Sequence, residues 1–216
     1  MNLEFMNYTV AIECFYLFIF NIIGVYLYKK VAVKFNIIAN LNYRTLHESP
    51  LPKGGGMVFS ILSVISLLLV WWQGKLSDEV FWVFGLGGFI ATVIGFIDDI
   101  KNIRARTKLV VQLFLSAWVV YWFDSSELLQ FEWMPKYILV LFFIFFLTWM
   151  INAYNFMDGI DGLAASGAIF ICLTLSLVLF LTDNYGEILH IFIFLAAAVS
   201  GFIIFSWPPA TIFMGD

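Results

Sequence analysis

Apolar residues in this chain run in long blocks that no Asp, Glu, Lys or Arg interrupts. The blocks are Cys14–Tyr28, Gly54–Gly74, Val80–Ile97, Leu109–Phe123, Tyr137–Met157, Gly162–Thr182 and Ile188–Gly215. A helix that crosses a bilayer needs about 20 mostly apolar residues. Seven such blocks therefore predict about seven transmembrane helices. The two short ones are flanked by Glu13 and Lys108, whose charged heads can reach the headgroup layer. Apolar residues surround each predicted helix on nearly all sides, as suits helices packed in lipid and in one another. A transmembrane barrel would show alternation over about ten residues, which is absent. The predicted architecture is all-α: a polytopic membrane bundle forming one domain over residues 1–216.

Composition agrees with the pattern. Hydrophobic residues make up 62% of the 216 and charged residues only 12%, with a mean hydropathy of +0.96. A soluble domain carries about 25% charged residues, and a disordered chain needs low hydrophobicity, so both classes are excluded. No basic stripe suggests a nucleic-acid partner.

The net charge of −4 says less than its distribution. Lys29, Lys30, Lys34, Arg44 and Lys53 lie in one interhelical loop, and Lys101, Arg104, Arg106 and Lys108 in another; only Lys75 and Lys136 remain. Alternating helices put both basic loops on one side, which the positive-inside rule makes cytoplasmic. An odd helix count then places the N-terminus outside. The opening Met-Asn-Leu-Glu has no basic n-region, so no signal peptide is read. Cys14 and Cys172 lie in separate apolar blocks with no spacing that suggests a disulfide or a metal.

Chemistry collects at helix ends. Asp98 and Asp99 stand in GFIDDIKN, Asp158 and Asp161 in NAYNFMDGIDGLA, and Asp216 in FMGD. The alternation places all five on the cytoplasmic side. Carboxylates gathered there favour a divalent cation with hard oxygen ligands, and neighbouring basic residues suit a phosphate. Adjacent Asp98 and Asp99 diverge by about 100° on a helix, so they cannot share one role. Asn152, Asn155, Asp158 and Asp161 recur every three residues and wind half-way round a straight helix; Gly159 and Gly162 offer the break that could bring them together. The competing reading of the asparagines is polar glue between helices. In NYRTLHESPLPKGGG, His47 and Lys53 sit beside prolines and a glycine run that permits close approach to a ligand, although the Walker pattern is missing.

The order PLPKGGG, GFIDDI with KLVVQ following, NAYNFMDGIDGLA and FMGD resembles the polyprenyl-phosphate N-acetylhexosamine-1-phosphate transferases, glycosyltransferase family 4. The first loop is most similar to the bacterial branch that initiates O-antigen units. The resemblance implies transfer of an N-acetylhexosamine-1-phosphate from a UDP-sugar to polyprenyl (undecaprenyl) phosphate, with release of UMP. It implies Mg²⁺, or Mn²⁺, bound at Asp216, with Asp98 as the base toward the lipid phosphate and Asp99 as a second essential acid. Asn152, Asn155, Asp158 and Asp161 would contact substrate, Asp161 near the uridine, together with Lys53 and His47. It implies a bacterial inner-membrane enzyme whose site faces the cytoplasm, and family members with further helices beyond the Gly-Asp. Two readings compete. An intramembrane prenyltransferase also uses Asp-rich Mg²⁺ sites, though typically spaced Asp-x-x-x-Asp. A transporter or non-catalytic partner would carry its ionisable residues at the bilayer midplane. A homodimer is left open.

Overall fold

The computed structural model describes residues 8–39, 50–123, 135–182 and 186–216. Each of the seven apolar blocks contributes one helix: α1 (Tyr8–Lys34), α2 (Gly56–Trp72), α3 (Asp78–Lys101), α4 (Ala105–Phe123), α5 (Lys136–Met157), α6 (Leu163–Leu181) and α7 (Glu187–Ser206). Among the described residues the remaining regular pairing is an isolated antiparallel bridge between Ile38 and Pro52. Five helices are long and apolar enough to cross a bilayer: α1 from Val10, α3, α5, α6 and α7. α2 is shorter at 17 residues, and α4 carries Arg106 and Lys108 in its opening turns. The structure is thus an all-helical polytopic bundle.

α7 is the central post. It packs against α6, α1 and α2 and buries Phe194, Ala198, Val199 and Phe202. Its contact with α1 is close because Gly201 lies under Phe18 and Asn21; a Cβ there would stand 2.6 Å from the Phe18 carbonyl oxygen. Small residues at such crossings let helix backbones approach where lipid supplies no hydrophobic drive. α4 pairs with α5 and touches the first half of α3, where Phe81–Gly87 widens into a π-helical turn. The Trp118 indole of α4 donates to the Trp82 carbonyl of that turn at 3.0 Å. Outward faces carry exposed Phe142, Phe145, Trp149, Phe170 and Leu173, a surface suited to lipid.

The seventh apolar block needs a correction. It reads as continuous to Gly215, but α7 ends at Ser206, and residues 207–216 form an irregular tail through a cis Pro208–Pro209 bond. The two prolines remove backbone donors and stop the helix. The tail then turns back across the ends of α2, α3 and α5.

Candidate functional site

The tail is held by backbone hydrogen bonds to two of the sequence motifs. The Phe213 N–H donates to the Pro52 carbonyl at 2.9 Å, and the Gly55 and Gly56 N–H groups donate to the Phe213 and Met214 carbonyls at 3.0 and 2.7 Å. Those glycine amides open α2, and amides at a helix start lack partners within the helix. From the other side, Asp158 accepts from the Met214 and Gly215 N–H groups at 3.1 and 2.8 Å, and Asp161 accepts from the Ala210 N–H at 2.8 Å. α5 ends at Met157, and Gly162 turns the chain with a φ of +69° before α6 begins. The glycine break read from the sequence is therefore present.

The same tail brings Asp216 against α3. The Asp216 N–H donates to Asp99 Oδ1 at 3.3 Å. Gly95 permits this: a Cβ there would lie 2.7 Å from the Asp216 backbone carbon. Gly215 is required twice over, by its φ of +88° and because a Cβ would run into the Asp99 carboxylate.

Asp98 and Asp99 are 2% and 6% exposed and point apart, as their 100° separation requires. Asp98 accepts from the Ile103 N–H at 2.5 Å and is ion-paired with Lys108. Asp99 faces Lys53, whose Nζ lies 3.5 Å away. The Lys53 carbonyl accepts from the Tyr28 hydroxyl at 3.0 Å, which ties this loop to α1. Lys108 bridges Asp98 to Asp216, its Nζ lying 2.6 Å from Asp216 Oδ2, while Asn155 Nδ2 donates to Asp216 Oδ1 at 2.6 Å. Burial pushes the Asp158 carboxyl up to about 7, against the pull of the two tail amides, with the nearby Asp99 and Asp161 charges adding to the rise.

Three cavities meet at these acids. One of about 380 Å³ is lined by Asp98, Lys108, Gln112, Asn155, Asp158 and Asp216. A second, about 350 Å³ and mostly apolar, runs from Asp99 and Asp216 between α2, α3 and α7 past Phe59, Leu67 and Phe194. The third, about 480 Å³, is polar and lies on the Lys53 side of Asp99, beside Asn36 and Asn102.

Of the candidate residues, Asp98, Asp99, Asp158, Asp216, Asn155 and Lys53 come together here. Asp161 is one turn away, bonded to the tail. Asn152 points to α4 instead, donating to Gln112 Oε1 at 2.7 Å. His47 lies outside the described residues. Lys108 is the residue that sequence reading missed, because the positive-inside tally absorbed it; Lys108 and Gln112 in KLVVQ, one turn apart on a helix, were the available signal.

Asp216 keeps a partly exposed carboxylate at the mouth of the first cavity. Among the described residues no three of His, Cys, Asp or Glu gather as a metal cage. This donor set fits Mg²⁺, which commonly takes one or two protein carboxylates and completes its shell with phosphates and water.

The family model for glycosyl transferase family 4 matches residues 81–216. The chain is 29% identical over 197 residues to a probable undecaprenyl-phosphate N-acetylglucosaminyl 1-phosphate transferase of Bacillus subtilis, covering 87% of this chain and 53% of that protein. It is 33% identical over 186 residues to the phospho-N-acetylmuramoyl-pentapeptide-transferase of Lactobacillus acidophilus, covering 78% and 57% respectively. The protein of that name from Lactococcus lactis subsp. cremoris is 32% identical over 185 residues, covering 76% and 54%. The chain spans about half the length of the curated relatives it matches.

Proposed function

The chain belongs to glycosyl transferase family 4, and on that premise we propose that it transfers an N-acetylhexosamine-1-phosphate from a UDP-sugar to polyprenyl phosphate. The product would be a polyprenyl-diphosphate sugar, the first lipid-linked unit of a cell-envelope glycan such as O-antigen. The observation that carries this reading is the meeting of Asp98, Asp99, Asp158 and Asp216 with Lys53 and Lys108, where the polar cavity beside Lys53 and the apolar cavity between α2, α3 and α7 both reach Asp99.

In the proposed reaction an oxygen of the lipid phosphate forms a bond to the sugar-bearing β-phosphorus. The bond from that phosphorus to the bridging oxygen breaks, and UMP leaves with the electron pair. Asp98 takes the proton of the lipid phosphate, and Asp99 keeps Lys53 and the tail in place. Lys108 and Asn155 face the diphosphate, with Lys53 and His47 as further substrate contacts. Asp158 and Asp161 hold the tail that presents Asp216. Mg²⁺ or Mn²⁺ at Asp216 would offset the repulsion between two phosphates when bound. The apolar cavity gives the prenyl chain a path into the bilayer. We place all seven helices across a bacterial inner membrane, N-terminus outside and the site facing the cytoplasm.

The test is release of UMP from UDP-N-acetylglucosamine by the chain in lipid vesicles. Release should need both polyprenyl phosphate and Mg²⁺ and fall by about 1,000-fold in Asp98→Asn, within the range for loss of a general base. Release without polyprenyl phosphate would sink the transfer reading, and full activity in Asp98→Asn would remove the base.

A further inference from the structure

Asp216 is gripped from two helices at once, by Lys108 of α4 and Asn155 of α5, so the grip depends on how those helices are registered. The register is fixed deeper in the bundle. Lys108, Gln112 and Ser116 follow one another at steps of four, which keeps them along one stripe of α4. α5 answers with Asn152 and Thr148, also four apart and in the reverse order. Asn152 Nδ2 donates to Gln112 Oε1 at 2.7 Å and to the Thr148 carbonyl at 2.9 Å. One turn further in, the Thr148 hydroxyl lies 3.0 Å from Ser116 Oγ and bonds the Ile144 carbonyl at 2.8 Å. Ser116 and Thr148 are 1% and 4% exposed.

Both pairs keep the same antiparallel register. One step of four back from Gln112 reaches Lys108, and three residues on from Asn152 stands Asn155. A slide of α4 along α5 by one residue, about 1.5 Å, would break both pairs together, and at the buried Ser116–Thr148 pair water has no access to replace the lost bond. Gln112 lines the cavity beside Lys108, whereas the Asn152 amide is spent on Gln112 and the backbone.

We propose that Gln112 and Asn152, backed by Ser116 and Thr148, are a positioning clamp that sets the α4–α5 register and thereby holds Lys108 and Asn155 on the Asp216 carboxylate. Asn152 acts through Gln112 and not on substrate. The kinetic consequence rests on the transferase reading; the register itself does not.

The test compares Gln112→Leu, Asn152→Leu, their double variant and the exchange Gln112→Asn/Asn152→Gln. Spin labels on cysteines placed at the exposed Val110 and Phe156, with Cys14 and Cys172 replaced by alanine, report the distance between the two helix ends. UMP release from UDP-N-acetylglucosamine gives kcat and KM. Each leucine variant should shift or broaden the label distance by about 1–2 Å. It should also lower kcat by about 100-fold with KM within about two-fold of the parent. The double variant should be no worse than either single one, and the exchange should restore both distance and kcat. An unchanged distance in Gln112→Leu overturns the clamp. So does a raised KM in Asn152→Leu with Gln112→Leu silent, which would make Asn152 a substrate ligand. If the parent chain turns over no UDP-sugar, the transferase reading fails by itself and the label distances still decide the clamp.

Discussion

Replacing Lys108 by methionine removes the cation that bridges Asp98 and Asp216 and leaves a side chain of similar length. Asp98 is buried and would keep a single donor, the Ile103 N–H. Removing one partner of a fully enclosed ion pair costs about 3–5 kcal/mol, because the remaining charge stays buried. Lys108 is 33% exposed at its side chain, and Asp216 28%, so water offsets part of that loss. About 2 kcal/mol remains after this screening. For a chain of this size that lowers Tm by about 4–8 °C. Thermal unfolding in detergent should show the drop in Lys108→Met and much less of it in Lys108→Arg. The same lysine replacement in an Asp98→Asn background should cost little, since the buried charge is already gone. A Tm within about 1 °C of the parent, or an equal loss in both backgrounds, would refute the bridge as the source of stability.

Two further outcomes follow from the tail and its anchors. Gly215→Ala should destabilise by about 1–3 kcal/mol, because its positive φ is strained for alanine and its Cβ meets Asp99. Gly74→Ala is the control, with a similar φ of +70° and nothing within 4 Å, so equal losses at the two positions would remove the packing argument. Asp158 supplies a pH dependence. Its carboxyl is raised from 3.8 to about 7 in the fold, so the folded chain holds a proton that the unfolded chain has released. Stability from this group is therefore present at low pH and lost as pH rises through about 4 to 7. Asp158→Asn should gain in Tm relative to the parent between about pH 4 and pH 8, and a flat difference would contradict the burial of that carboxyl.

The helices were legible because each apolar block is a property of consecutive residues. The acidic convergence was legible because alternation across a bilayer turns sequence order into sidedness. The tail was not. Ile212 and Phe213 are as apolar as a span, and nothing in their composition separates a spanning residue from one folded under the bundle end, where Ile212 is fully buried. The prolines at 208 and 209 were the available mark. Asn152 shows a second limit: the three-residue spacing allowed either a ligand or an interhelical amide, and the choice depended on what α4 offered opposite. Lys108 was hidden for a different reason. A lysine at the start of a predicted span fits the positive-inside count whether or not two carboxylates wait beside it.

The pairing of charges explains why a phosphate would find this site difficult without help. Lys53 is turned toward Asp99, and Lys108 toward both Asp98 and Asp216. Asp158 and Asp161 spend carboxylate oxygens on tail amides. In the proposed reaction an incoming diphosphate would compete with Asp216 for the Lys108 ammonium. If Lys108 turned to the phosphate, Asp216 would keep Asn155 as a neutral donor but lose its counter-charge. In the proposed reaction Asp216 would hold the divalent cation, whose charge would supply what the carboxylate loses if Lys108 turns from it to the substrate. Asn155, bonded to the other Asp216 oxygen, would keep the carboxylate aimed during that exchange, and on the proposed reading the α4–α5 register would then matter to the chemistry as well as to the fold.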